Sequence, residues 1–252
     1  MTQLDNYSQG LIYMIIRPES FKELIAHFGQ KTLQWDLIEK LIVKGLVFRR
    51  VVSLFRQNQF EIPEKIIKKD ECEEQRIRDT LEVMKTLSLF CTEENIPHIY
   101  TKAFQHFPDM GHDIDLLVID PENKLSQRIQ STFGLKEVDP TFTNRLSNKI
   151  GFFFPNNIAL EIHNGRTGHI GEHVNYVKKL IERSKKFEYG GFTYPIPCET
   201  DMLVIQIMQR VYGHFGFRLT DIINGMQLLK SQTVNRNEIE VTVNQLGIAL
   251  GY

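Results

Sequence analysis

The chain is short of cysteine and of net charge, and each shortage excludes classes of protein. Its 252 residues include three cysteines, which are widely spaced and form no Cys-x-x-Cys pair. This pattern argues against a disulfide framework and against a thiolate zinc site, and it favours a reducing compartment. Because the formal net charge is -1, no broad basic field attracts nucleic acid or an anionic membrane surface.

Long apolar runs and targeting signals are also missing from the sequence. No uninterrupted apolar run reaches ~18 residues, the length needed to cross a bilayer. The first residues, MTQLDNYSQG, carry none of the basic residues that open an export signal. The 42% hydrophobic and 24% charged content is that of an ordinary soluble globular protein. We therefore expect a cytoplasmic protein without a membrane segment.

Hydrophobic spacing divides the chain into a helical part, a mixed part and a second helical part. Apolar residues recur at helical spacing almost throughout residues 18–95 and again over 199–247, whereas residues 97–162 contain several short apolar runs typical of strands. We therefore predict an α+β fold with a mixed sheet core. The expected regions are an N-terminal helical region packed on the core (1–95), an α/β core (96–195) and a C-terminal helical region (196–252).

Several local features are predicted within these regions. A first helix is expected from Pro18 onward, and Asp70 is expected to cap the N-terminus of a long helix. The run from Leu135 to Val138 is expected to form a strand. Pro155-Asn156-Asn157 is expected to be the turn of a hairpin, because it separates two apolar strand patterns.

Two aspartates, Asp113 and Asp115, stand at the start of an apolar strand that runs to Ile119. Side chains alternate between the two faces of a strand, so both carboxylates should point the same way while Ile114 points into a core. Neighbouring carboxylates beside a buried run usually have partners, and Mg²⁺ is the hard, oxygen-binding candidate. The pattern therefore indicates a metal site, and a strand end exposed to water is the alternative.

Three motifs follow one another in an informative order. An apolar run ends at Thr101-Lys102-Ala103, the two aspartates follow after a loop, and Glu161 lies in a later alternating strand. The C-terminal part adds the sequence YGHFGFRLTD over residues 212–221. This arrangement resembles the nucleotidyltransferase superfamily, the polymerase-β-like fold, and nearly the whole chain is similar to its family of uncharacterised nucleotidyltransferases. The resemblance implies a nucleotidyltransferase-like sheet at the centre of the chain.

The resemblance also implies two-metal nucleotidyl transfer. Asp113 and Asp115 would hold two Mg²⁺ ions, with Mn²⁺ as an alternative metal. Glu161 would complete the site of the ion that activates the attacking hydroxyl, or act as the base itself. The substrate would be a nucleoside triphosphate, with ATP as the first candidate. The expected acceptor is a small molecule or a protein rather than a nucleic acid.

Lys102, Ala103 and His112 are the residues predicted to bind the nucleotide. Lys102 would supply a point charge to the phosphates. The resembled family has glycine after the lysine, which lets the backbone approach the phosphates closely, whereas Ala103 occupies that place here. This departure supports a second hypothesis: a catalytically lapsed nucleotidyltransferase-fold protein that acts as a nucleotide-sensing or protein-binding module.

His163 and Arg218 are the residues predicted to bind the acceptor. His163 lies two residues beyond Glu161, so both side chains should share one face of the strand. A hydrogen-bonded structural histidine is the alternative for His163. For Arg218 the alternative is an ion pair with Asp221, at helical i,i+3 spacing.

One further motif matches a different chemistry. His169-Ile170-Gly171-Glu172-His173 fits the His-x-x-Glu-His pattern of the inverted zinc peptidases, with the glutamate as base. That chemistry requires both histidines on one face of a continuous helix. Gly168 and Gly171 interrupt the segment, and the pattern arises easily by chance. We therefore do not expect zinc hydrolysis, although this segment has the residues to close over a substrate anion.

Overall fold

The computed structural model describes residues 12–13, 15–17, 33–213 and 216–249. The helix predicted from Pro18 onward therefore lies outside the described residues. In chain order the elements are α1 (Trp35–Lys44), α2 (Phe48–Gln57), α3 (Glu64–Glu93), β1 (His98–Tyr100), β2 (Asp113–Val118), α4 (Lys124–Phe133), α5 (Phe142–Leu146), β3 (Lys149–Phe154), β4 (Ile158–Asn164), α6 (Val174–Glu182), β5 (Lys185–Tyr189), β6 (Phe192–Ile196), α7 (Glu199–Ile207), α8 (Leu219–Lys230) and α9 (Arg236–Gln245). A 3₁₀ turn (Pro155–Asn157) joins β3 to β4, and a π-helical turn (Met208–Gly213) follows α7.

Helices α1 and α2 and the start of α3 share one hydrophobic cluster. Helix α2 shows how the sequence produces it, because Phe48, Val51, Val52 and Phe55 recur at helical spacing and are all buried. The 30 residues of α3 extend beyond this cluster to the sheet, where the second half of the helix joins the main core. The long helix therefore links the N-terminal helices to the sheet.

Asp70 does not cap a helix, and this prediction was wrong. Helix α3 begins at Glu64, and Asp70 lies inside it with its side chain buried. Its two carboxylate oxygens pair with Arg49 Nε at 3.0 Å and Arg56 Nη1 at 2.6 Å, both from α2. Long-range charge pairing thus accounts for an acidic residue that local pattern assigned to a helix terminus.

The central sheet has four strands in the order β1-β2-β4-β3. Strands β2 and β4 are parallel, whereas the β1–β2 and β3–β4 pairs are antiparallel. This mixed sheet, flanked in sequence by helices, confirms the predicted α+β class. A separate hairpin of β5 and β6 turns at Gly190 and Gly191, and it packs against β1 and α3.

The run from Leu135 to Val138 forms no strand, so this prediction was also wrong. The segment has no regular secondary structure, and Val138 N donates one hydrogen bond of 2.8 Å to Gly151 O on β3. The run follows Gly134, whose positive φ of 64° ends α4. The apolar residues of this segment are typical of a strand, but it pairs with no strand among the described residues.

The two faces of the sheet pack against different helices. Ile114 and Leu116 of β2 belong to a cluster formed with α3 and α4. Leu117, on the opposite face, belongs to a cluster formed with α6, α7 and α9. Because alternate residues share a face, Asp113 and Asp115 lie on the side of the C-terminal helices. None of the described helices is both long and apolar enough to cross a bilayer.

Candidate active site

Asp115, Glu161 and His163 come together on the face of the sheet that packs against the C-terminal helices. Parallel pairing of β2 with β4 places Asp115 directly opposite Glu161. His163 Nε2 lies 3.2 Å from Asp115 Oδ1 and 3.9 Å from Glu161 Oε2. One ligand atom from each residue lies within 4.8 Å of the other two. The expected placement of Glu161 on a strand next to the Asp-x-Asp motif is therefore observed, as is the shared face of Glu161 and His163.

Asp113 lies at the first position of β2, on the same face but outside this three-residue cluster. Its side chain is exposed. Partial desolvation at the end of the strand, together with the negative charges of Asp115 and Glu161, raises the pKa of Asp113. A neighbouring cation would remove that repulsion, so Asp113 remains available as a further ligand. Its role stays a prediction.

Each of the two paired carboxylates forms an ion pair with a lysine. Lys102 Nζ lies 2.9 Å from Asp115 Oδ1, and Lys149 Nζ lies 2.5 Å from Glu161 Oε2. Burial disfavours the ionised form of Asp115, but the charge of Lys102 and the hydrogen bond from His163 outweigh it and hold the pKa of Asp115 well below its usual range. Asp115 is therefore a carboxylate at neutral pH even though its side chain is buried.

Lys149 is the functional candidate that the sequence analysis missed. It lies on β3 directly opposite His163, and Gly151 lies opposite Glu161. The signal that would have revealed it is the predicted hairpin turn, since a turn of known length sets which residues of two antiparallel strands oppose each other. Counting back from that turn places Lys149 beside the acidic strand.

A cleft of about 490 Å³ lies between the sheet and the C-terminal helices. Lys102, Lys149 and His163, which all contact the carboxylates, line it, whereas Asp115 and Glu161 are not among its lining residues. A cleft ligand therefore reaches the carboxylates past these three side chains. The opposite wall is largely apolar: it contains Ile205, Met208, Leu246 and Ile248, together with Gln209 and Gly247.

The cluster has the donor chemistry of a divalent-cation site. Two carboxylates offer the hard oxygen ligands that Mg²⁺ and Mn²⁺ prefer, and the imidazole of His163 adds a nitrogen that suits Mn²⁺ better than Mg²⁺. Lys102 and Lys149 already neutralise Asp115 and Glu161. A bound cation would therefore compete with both ammonium groups.

Ala103 lies in the core rather than on the cleft. It is buried, and it belongs to the same hydrophobic cluster as Tyr100 and Phe104. Its backbone φ is not positive, so this turn does not need the conformational freedom of glycine. Thr101 and Lys102 line the cleft while Ala103 does not. A contact between the Ala103 backbone and a nucleotide stays a prediction.

His112 and Arg218 line a different cavity, of about 670 Å³, together with apolar residues of α1. The structure does not bring them to the cleft that contains Lys102 and His163. The Arg218–Asp221 ion pair does not form as expected: Arg218 N donates to Asp221 Oδ2 at 2.7 Å, and the same carboxylate pairs with Arg210. Asp221 thus caps the N-terminus of α8. The arginine that neutralises its charge is Arg210, in the π-helical turn.

The His-x-x-Glu-His segment forms a loop, as expected from its glycines. His169, Glu172 and His173 all precede α6, which begins at Val174. The Glu172 carboxylate accepts hydrogen bonds from the backbone N–H groups of His169 (3.2 Å) and Ile170 (2.9 Å). It therefore stabilises its own loop, and the histidines do not present the helical face that a zinc peptidase requires. The loop lines the cleft.

The loop before Asp113 is held by charged residues of the N-terminal helices. Arg76 of α3 donates from Nη2 to Met110 O at 2.9 Å and from Nη1 to Gly111 O at 2.8 Å. The Asp109 carboxylate accepts from Arg49 N at 2.6 Å and from Arg50 Nε at 2.7 Å. These contacts fix the point at which the chain enters β2. Sequence pattern gave no signal for them, because the partners are distant along the chain.

Comparisons with known proteins identify no family for this chain. No model of a known protein family matches the chain, and no curated protein matches it either. A solved structure of an antigenic nucleotidyltransferase-like protein from Paracoccidioides brasiliensis matches with a TM-score of 0.41 and 12% identity, over 68% of this chain and 91% of that chain. A likeness at this level carries no argument about function, which therefore rests on the residues of the site.

Proposed function

We propose that this protein is a divalent-cation-dependent nucleotidyltransferase that transfers a nucleoside monophosphate from a nucleoside triphosphate, ATP first, to an acceptor hydroxyl. The observation that carries the proposal is the pairing of Asp115 with Glu161 on adjacent parallel strands, beside His163. Lys102, Lys149 and His163 lie between these carboxylates and a cleft large enough for a small ligand. This combination suits a polyphosphate bound next to acidic residues.

Asp113, Asp115 and Glu161 would hold Mg²⁺ or Mn²⁺, with His163 as a further donor. The bound cation would act as a Lewis acid on the phosphates and favour ionisation of the attacking hydroxyl. Lys102 would contribute a mobile point charge toward the phosphates, because lysine is a flexible cation without a fixed geometry. Glu161 would accept the proton of the acceptor hydroxyl, which adjoining positive charge makes easier to remove.

The expected partners follow from the shape and charge of the cleft. Its apolar wall and modest volume favour a small-molecule or protein hydroxyl over a nucleic acid, which would need an extended basic surface.

The three cysteines are unpaired, which supports a reducing, cytoplasmic setting. Incubating the protein with a panel of labelled nucleoside triphosphates and cell extract would identify nucleotide and acceptor class together.

The direct test is titration of ATP with and without Mg²⁺ while pyrophosphate release is followed. We expect binding that depends on Mg²⁺ and is lost in Asp115→Asn, because the amide no longer carries the charge that a cation needs. The control is Asp36→Asn, which removes an aspartate charge from an exposed ion pair between α1 and α3. Absence of both nucleotide binding and metal binding in the unaltered protein would overturn the proposal.

A second candidate function is a nucleotidyltransferase-fold module that senses nucleotide or binds a protein without catalysis. The observation that favours it is that Lys102 and Lys149 already neutralise Asp115 and Glu161. In such a protein, ATP would bind equally well with and without Mg²⁺, and no pyrophosphate would be released with any nucleotide. The same titration therefore separates the two candidates.

A further inference from the structure

Lys149 occupies a position between the acidic cluster and the cleft. Its ammonium group lies 2.5 Å from Glu161 Oε2, and its side chain is 21% exposed. It also lines the cleft that Lys102 and His163 line. The residue therefore contacts a candidate metal ligand and is accessible to a cleft ligand.

A purely structural role explains this arrangement poorly. The carboxylate partner, Glu161, is 33% exposed, and ion pairs with this much access to water contribute little to stability. Lys149 is on β3, an edge strand of the sheet, where its side chain extends from the ladder position opposite His163. Strand pairing does not require a lysine at this position.

The ion pair of Lys149 with Glu161 affects how a divalent cation binds. A divalent cation that binds Glu161 is repelled by the ammonium group that Glu161 already holds. The four-carbon stem of lysine allows the ammonium group to turn away when a second positive charge arrives. The cleft is the solvent-accessible side to which it can turn, and a triphosphate placed there offers it a new anionic partner.

We propose that Lys149 is an exchangeable cation of the site, which neutralises Glu161 when no divalent cation is present and binds the triphosphate when one is. This inference rests on the proposed function and adds to it a residue and an order of events. Binding of a divalent cation and binding of a triphosphate become coupled through one side chain, because the metal frees the ammonium group that the phosphates then use.

The first test measures binding of Mn²⁺ alone, by electron paramagnetic resonance, to the full chain. We expect Lys149→Met to bind Mn²⁺ about tenfold more tightly than the unaltered protein, since Mn²⁺ then no longer displaces an ammonium group from Glu161. The attraction that is no longer broken is that between two unit charges about 3 Å apart in water-like screening. Lys149→Arg should keep the weaker affinity because it keeps the charge. The matched control is Lys68→Met, which removes a lysine from an exposed Glu64 pair on α3.

The second test measures binding of the α,β-methylene analogue of ATP at saturating Mn²⁺. Lys149→Met should weaken it about tenfold, the usual size of one charge-assisted contact, and should leave adenosine binding unchanged. If Lys149→Met does not fold, as judged by its thermal unfolding curve, Lys149→Gln takes its place in both measurements. The opposite signs expected for Mn²⁺ and for the analogue separate this role from general damage to the site.

Three negative results have different meanings. If the unaltered protein binds Mn²⁺ and the Lys149 variant binds it no more tightly, the exchange role is overturned while the proposed function stands. If neither protein binds Mn²⁺, the exchange role is overturned, and if neither binds the ATP analogue either, the proposed function is overturned as well. Tighter Mn²⁺ binding combined with unchanged binding of the analogue would overturn the phosphate contact.

Discussion

Arg76 offers the sharpest test of how the N-terminal helices support the site. Its guanidinium donates to the carbonyl oxygens of Met110 and Gly111, just before Asp113. Substituting alanine removes both hydrogen bonds. Met110 is buried, so its carbonyl loses a charged donor that water replaces poorly, whereas Gly111 is only partly buried and its carbonyl can be hydrated. We expect Arg76→Ala to lower the free energy of unfolding by about 2–3 kcal/mol.

The assay is urea unfolding of three variants, with hydrogen exchange over residues 110–114 as a local readout. Arg78→Ala is the matched control, because this arginine lies on the same helix, is 53% exposed and pairs with Glu74 one turn away; it should cost less than ~0.5 kcal/mol. Arg76→Lys should lie between the two, since an ammonium group cannot span both carbonyls as the planar guanidinium does. Equal destabilisation by both alanine variants would refute the reasoning.

Three further outcomes are expected from single substitutions. Burial lowers the pKa of His106 to about 4, below the ~6.5 of an unfolded histidine. The unfolded chain therefore takes up the proton first, so stability should fall between about pH 6.5 and pH 4, by up to ~1.4 kcal/mol per pH unit, and His106→Gln should lose that slope in urea unfolding. Gly171→Ala would place a methyl group 2.6 Å from a nearby backbone carbon, at a residue whose φ is +77°. It should therefore reduce the unfolding temperature more than Gly134→Ala, because Gly134 has a φ of +64° but open space around it. Equal effects of the two substitutions would contradict the contact. Ala103→Gly should cost about 1 kcal/mol in urea unfolding and leave ATP affinity unchanged, whereas tighter ATP binding would show that the alanine obstructs the nucleotide.

The acidic face of the sheet was predictable because it depends on local alternation. At the start of β2 aspartates alternate with apolar residues, and in β4 Glu161 and His163 alternate with apolar residues, so the side that Asp115 and Glu161 share is a property of each strand by itself. Their adjacency further required a neighbouring strand, which the resemblance implied. The expectation that Asp113 joins them as a metal ligand goes beyond alternation, since position along the strand, and not only face, decides which atoms meet.

Long-range charge pairs account for what pattern did not predict. Aspartate is a residue type that favours helix N-caps, yet Asp70 is buried inside a helix because two arginines of α2 pair with its carboxylate. The contacts of Arg76 with the loop before β2 likewise join residues that are far apart along the chain. Such pairs leave no periodic trace, because one charged residue in a helix is compatible with either an exposed or a buried face.

The short turn at Pro155–Asn157 gives the two halves of the site unequal tolerance to insertion. The carboxylates of β2 and β4 face each other through parallel pairing, and the long connection between those strands can change in length at its exposed segment, residues 134–141, without moving either one. Lys149 has no such freedom. If the strands kept a turn of the same length, one residue added there would shift β3 by one position relative to β4 and turn the lysine to the opposite face of the sheet. Variation in loop length would therefore preserve the acidic pair and lose its basic partner first.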